Sequence, residues 1–233
     1  MLPRASREKL RSQQKLEMQA QDRHRVIAID GPAASGKSSV ARELARRLSF
    51  VYVNSGAMYR AITWSVLNAG IDPADKNRIV ELIRKLSFGR KLADSEFHLL
   101  IDDVDLTKHL HEDRVNAEVS RVSTVPEVRK VVVRAVRRCA MKHDAVVEGR
   151  DIGSVVFPDT PFKFYIDASP EVRAQRRAAQ GHRDEIARRD QADSSRAASP
   201  LIVAKDADVI DTSHMTVEAV VHEIVKRLRP RQF

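Results

Sequence analysis

The chain has 233 residues, 42% hydrophobic and 31% charged, which suits one packed domain with a small inserted lobe and excludes a wholly disordered chain. A formal net charge of +9 and a pI near 9.9 point to an anionic partner, nucleic acid or a phosphorylated small molecule, or only to a solvated basic surface. Aromatic residues at 5% argue against a single-strand binder that stacks bases, one cysteine excludes an internal disulfide and fits a reducing compartment, and no apolar run is long enough to span a membrane.

Residues 1–25 are polar and rich in Arg, Lys and Gln, without the apolar core of a secretory signal. Glu8, Glu17 and Asp22 count against a transit peptide, so this stretch reads as a basic extension. The fold starts at Val26, where Val26, Ile27, Ala28 and Ile29 form a buried strand ending in Asp30-Gly31. A helix over 38–48 carries Val40, Ala41, Leu44, Ala45 and Leu48 at helical spacing. Val51, Tyr52 and Val53 read as a second strand, and Ser55-Gly56 opens a helix carrying Met58, Ile62 and Val66, broken by Gly70 and Asp72-Pro73.

From about 75 to 120 the pattern changes to a helix with Ile79, Leu82, Ile83 and Leu86, a strand over 97–101, a turn at Asp102-Asp103 and a short returning strand over 104–106. This reads as an inserted lobe. Pro126 begins a long basic helix to about Lys142, since proline is tolerated in a first turn. Ala145, Val146 and Val147 form a strand ending in Glu148-Gly149-Arg150-Asp151. A strand over 162–166, a helix from Pro170, a short strand at Val209-Ile210 and a closing helix over 217–228 complete the pattern. Alternating strands and helices predict an α/β domain whose parallel sheet is covered on both faces, with ligands at the carboxyl ends of the strands.

Gly31, Pro32, Ala33, Ala34, Ser35, Gly36, Lys37 and Ser38 fit G-x-x-x-x-G-K-[ST], between a buried strand and an amphipathic helix. The glycines let backbone N–H groups curl toward a phosphate, Lys37 brings positive charge to the β- and γ-phosphates, and Ser38 offers a hydroxyl to magnesium. The helix that follows turns its positive end to the same anion. A GTPase base-reading Asn-Lys-x-Asp sequence is absent. Several arginines fall after strand ends: Arg60, Arg150, and later Arg189 and Arg196. Guanidinium forks suit an acceptor that is itself a phosphate, whereas an ATPase acting on water needs a water-positioning residue.

Three further blocks carry a resemblance: Ser55-Gly56-Ala57-Met58-Tyr59-Arg60, Glu148-Gly149-Arg150-Asp151, and Arg189-Asp190-x-x-Asp193-Ser194-x-Arg196-x-x-x-Pro200-Leu201. With Ala204-x-Asp206-Ala207-x-x-Ile210-Asp211 they resemble bacterial cytidylate kinase over nearly the whole chain, about 26 to 228. The resemblance implies a P-loop nucleoside monophosphate kinase fold: a five-stranded parallel sheet core with helices on both faces, a lid and an inserted monophosphate-side lobe. The core is then 26–74 and 121–233, with the lid at about 173–196 and the insert at 75–120.

The resemblance also implies the site. ATP lies on Gly31 to Ser39, with Arg173, Arg176 and Arg177 at the start of the lid. Ser55, Tyr59, Arg60 and Arg150 lie at the acceptor phosphate, while Ser120, Arg129 and Asp151 recognise cytosine. Arg189, Asp193 and Arg196 reach the sugar and phosphates. Lys37, Arg60, Arg150 and Arg189 are the expected catalytic set, with Ser38 on a magnesium ion bound with ATP. Read without the resemblance, Ser120 is a helix or turn residue, Arg129 a solvated helix arginine and Asp151 a helix cap.

The chain departs from the family pattern at Asn54, where Asp is usual, at Glu148, where Asp is common, and in a shorter stretch between Arg177 and Arg189. The expectation is a cytoplasmic, monomeric enzyme acting on ATP and CMP or dCMP, with no membrane or nucleic-acid partner. Another small acceptor such as UMP, or a nucleic-acid-binding P-loop ATPase, stands as the alternative.

Overall fold

The computed structural model describes residues 24–179 and 201–231. The central strands are β1 (Val26–Asp30), β2 (Val51–Asn54), β6 (Ala145–Gly149), β7 (Phe162–Asp167) and β8 (Asp208–Asp211). They lie in the order β2-β6-β1-β7-β8, every neighbouring pair parallel. Between them run the helices α1 (Lys37–Leu48), α2 (Ser55–Asn68), α3 (Lys76–Lys85), α4 (Asp113–Val122), α5 (Pro126–Ala140), α6 (Pro170–Ala179) and α7 (Val217–Leu228). Segment 75–120 extends the same sheet rather than standing apart from it. Its strands are β3 (Phe88–Ala93), β4 (Glu96–Ile101) and β5 (Val104–Asp105). β4 runs parallel to β2, and β3 and β5 pair antiparallel with β4.

Strand alternation explains the two-sided core. Along β1, Val26 and Ala28 face one way, with Val53 and Val147, onto α2, α3 and α5. Ile27 and Ile29 face the other way, with Val146, Phe164 and Ile166, onto α1 and α7. Both faces are buried, so the strands read as continuous apolar runs. Several helix starts are fixed by side chains: Asn54 accepts from the Ala57 N–H, Asp75 from the Arg78 N–H and Thr216 from the Ala219 N–H. The buried Cys139 sits in the first of these cores, its thiol pushed up to about 11 by burial.

Because β1, β2, β6, β7 and β8 are parallel, their carboxyl ends share one edge of the sheet. That edge carries the phosphate loop after β1, the Asn54-Ser55 junction after β2, Arg150-Asp151 after β6 and Thr212 after β8. A one-turn π-helix, Ile152–Val156, follows β6.

Candidate active site

A cleft of about 900 Å³ opens along this edge. The phosphate loop floors it. Gly31 has φ +153°, and a Cβ there would stand 2.1 Å from the Ile166 carbonyl oxygen, so only glycine fits. The loop is held from outside. The Thr212 hydroxyl and the Arg176 guanidinium both donate to the Ser35 carbonyl, at 2.9 and 3.1 Å, and Arg173 donates to the Ala33 carbonyl at 3.3 Å. Arg150 donates to the Gly31 carbonyl at 2.5 Å. The Gly31, Ala33 and Ser35 carbonyls are thus engaged from outside, in a loop whose curled backbone suits an anion. Lys37 folds over the loop, its ammonium 3.0 Å from the Pro32 carbonyl.

Ser38 and Glu148 meet across the cleft. The Ser38 hydroxyl donates to Glu148 Oε2 at 2.8 Å, while the Tyr52 hydroxyl donates to Glu148 Oε1 and in turn accepts from Asn54 Nδ2 at 3.1 Å. Burial first, and then the Glu148 carboxylate, hold the Tyr52 phenol well above its usual range. Glu148 is thus a buried carboxylate with both oxygens engaged, facing the hydroxyl offered to a metal. A single carboxylate and a hydroxyl fit a magnesium ion that keeps its other positions for water and substrate phosphate oxygens. Asn54 serves the fold too, since it caps α2.

On the other wall stand Ser55, Tyr59 and Arg60 from α2, Ser120 from α4 and Asp151 after β6. Ser55 donates to the Glu148 carbonyl at 2.8 Å, and Arg60 Nε lies 3.4 Å from Asn116 Oδ1. Arg129 comes from α5, behind this wall, and its Nη2 donates to Asp151 Oδ2. Both members of this pair are buried, at 8% and 4% exposure, and Arg129 lies over the Tyr59 ring at 5.8 Å. The reading of Arg129 as a solvated helix arginine is therefore replaced by a buried ion pair. Its Nη1 is buried and has no hydrogen-bond partner among the described residues.

The structure brings Gly31 to Ser39, Ser55, Tyr59, Arg60, Ser120, Arg150, Asp151 and Arg177 to the cleft or its floor, with Arg129 and Arg173 one layer behind. Arg189, Asp193 and Arg196 lie outside the described residues. Sequence reading does not single out Tyr52, Asn116 or Thr212, and gives Glu148 only as a departure from the family pattern. The signal for Glu148 was a carboxylate closing an otherwise apolar strand.

A family model described as cytidylate kinase matches residues 27–230. The chain belongs to the cytidylate kinase family. A cytidylate kinase of Corynebacterium efficiens is 45% identical over 213 residues, covering 86% of this chain and 93% of that protein. One from Mycobacterium leprae is 44% identical over 218 residues, covering 88% and 96%, and one from Caldanaerobacter subterraneus is 42% identical, covering 87% and 94%. The chain is thus a P-loop kinase of this family.

Proposed function

We propose that the protein transfers the γ-phosphoryl group of ATP to CMP and dCMP, giving ADP and the pyrimidine diphosphate. The observation that carries this reading is the buried Arg129–Asp151 pair with its unmet Arg129 Nη1 donor. Cytosine offers N3 and O2 as acceptors and a 4-amino group as donor. A guanidinium N–H beside a carboxylate complements that edge. Uracil puts a carbonyl where the amine stood, opposite the Asp151 carboxylate.

ATP docks on Gly31 to Ser39, with Arg173, Arg176 and Arg177 alongside, and the monophosphate docks on Ser55, Tyr59, Arg60 and Arg150. Arg189, Asp193 and Arg196 complete the clamp in this reading, and Asn116 orients Arg60. The acceptor phosphate is already anionic, so its oxygen attacks the γ-phosphorus in line and no general base is needed. Catalysis is positioning and charge stabilisation by Lys37, Arg60, Arg150 and Arg189. Ser38, oriented by Glu148, holds the magnesium ion that screens the phosphate charge when bound. In this reading 173–196, of which 180–196 lie outside the described residues, is the lid that excludes water from the transfer. The 75–120 segment is the monophosphate-side lobe, supported by the approach of Asn116 to Arg60 and by Ser120 on the cleft wall. Among the described residues no helix is long and apolar enough to cross a membrane. In this reading the protein serves pyrimidine nucleotide metabolism in the cytoplasm as a monomer.

Titration calorimetry tests the base-reading assignment. Wild-type protein binds CMP at least tenfold more tightly than UMP. Arg129→Lys keeps a charge beside Asp151 but loses the fork, and it erases the preference. Equal wild-type affinities for the two nucleotides would contradict the assignment.

A further inference from the structure

Asp30 ends β1 directly before the phosphate loop and is 5% exposed. It is not turned to the cleft. Its two carboxylate oxygens accept from the first backbone amides of the π-turn after β6: Ile152 N–H at 2.8 Å to Oδ1, and Gly153 N–H at 2.7 Å to Oδ2. The two residues before those amides are Arg150 and Asp151. Arg150 returns the contact by donating to the Gly31 carbonyl, one residue beyond Asp30. The end of β1 and the end of β6 are thus joined by three hydrogen bonds across adjacent parallel strands, on top of the strand pairing that ends at Asp30 and Gly149. The far end of the same turn is held from α5, where Arg137 Nε donates to the Val156 carbonyl at 3.0 Å, and from the same helix Arg129 grips Asp151 at the near end.

These supports are not shared equally. The phosphate loop has its own braces, in Thr212, Arg176 and Arg173 on the Ser35 and Ala33 carbonyls. At the amide end of the π-turn Arg129 holds the Asp151 side chain, while the Ile152 and Gly153 amides are both bonded by Asp30. Charged groups face Asp30 from both sides, Asp151 from the turn and Lys37 from α1, and Lys163 of β7 lies against Gly153 on the same side as the Asp30 carboxylate.

We propose that Asp30 is a positioning residue for the acceptor site: its carboxylate sets the register of the turn that carries Arg150 and Asp151 against the phosphate loop. Loss of the carboxylate disturbs acceptor binding and base choice while sparing ATP. This rests on the CMP reading for the identity of the acceptor. An Asn at position 30 has nearly the same shape but only one acceptor oxygen, so one of the two amides faces an NH2 group.

The test is steady-state kinetics of Asp30→Asn beside wild type, with CMP and UMP as acceptors, together with amide hydrogen exchange of the wild-type protein without ligands. The expected result is a KM for CMP raised at least tenfold, a KM for ATP within threefold, and a CMP-over-UMP preference reduced at least fivefold. In the wild-type exchange experiment, Ile152 and Gly153 are expected to be protected as strongly as the amides of β6. A variant that loses only thermal stability or active fraction, with both KM values and the base preference intact, would overturn the proposal, as would equal rises in the two KM values. Fast exchange at Ile152 and Gly153 would overturn it independently, even if the variant does not fold. Failure of the CMP reading is separate: wild type then shows no preference for CMP, while the exchange result still decides whether Asp30 holds the turn.

Discussion

A carboxylate sealed from water is costly unless hydrogen bonds hold its charge, and Asp30 shows both terms. Desolvation raises its carboxyl from 3.8 to about 6 despite the opposing Gly153 and Ile152 amides, with Asp151 adding to the rise and Lys37 opposing it. The folded chain therefore takes up this proton at a higher pH than the unfolded chain does. Protonation contributes stability that is fully present below the unfolded value of 3.8 and is lost as pH rises through about 6. Asp30→Asn has no proton to gain. In urea titrations from about pH 7.5 down to about pH 5, wild type gains about 1 kcal/mol of unfolding free energy relative to the variant. A flat difference, or one of opposite sign, would contradict the burial of an ionisable Asp30. The ion pair of Arg129 and Asp151 is a second residue-scale commitment, because removing either partner alone strands a buried charge.

At the scale of elements, close packing at the end of β6 constrains the cleft. A Cβ on Gly149 would lie 2.6 Å from Ser55 Oγ and 2.7 Å from the Ile152 side chain. Gly149→Ala is expected to lower stability by about 1–3 kcal/mol and to push the Ser55 hydroxyl off the Glu148 carbonyl. Thermal unfolding and CMP affinity read both effects, and a variant with wild-type melting temperature and affinity would contradict this packing. Strong local patterns made most elements legible in the sequence. β1, the phosphate loop and α1 follow from an apolar run, a glycine-framed motif and helical spacing, and α7 falls over 217–228 as its apolar spacing predicts. β3 did not stand out, because Phe88–Ala93 is a half-exposed edge strand with basic residues in its middle. The π-turn Ile152–Val156 was hidden for a different reason. Its short apolar run has no turn signal of its own, and it is shaped by Asp30, Arg129 and Arg137, the first of them 122 residues away from the amide it binds. As a single letter on a basic helix, Arg129 gives no sign of its burial. Its burial depends on Asp151, 22 residues further on.

The whole molecule brings these parts together through one topological fact. With β1 in the middle of β2-β6-β1-β7-β8 and all five strands parallel, residues separated by more than a hundred positions meet at one edge, as Thr212 does with Ser35 and Glu148 with Ser38. Ligands on such sheets bind at the carboxyl ends of the strands, where the crossover direction changes. The basic balance of the chain also finds a local use. Lys37, Arg42, Arg60, Arg150, Arg176 and Arg177 line the cleft against the carboxylates of Glu148 and Asp151, a field that draws in two polyanionic substrates. Net charge thus fits small phosphorylated ligands without calling for nucleic acid. The most direct test is an ADP-release assay with magnesium-ATP, comparing CMP, dCMP, UMP, AMP and no acceptor. Fast release with CMP and dCMP, slower release with UMP and AMP, and little without acceptor are the predicted results. Release at the same rate whatever the acceptor, or without one, would contradict the assignment.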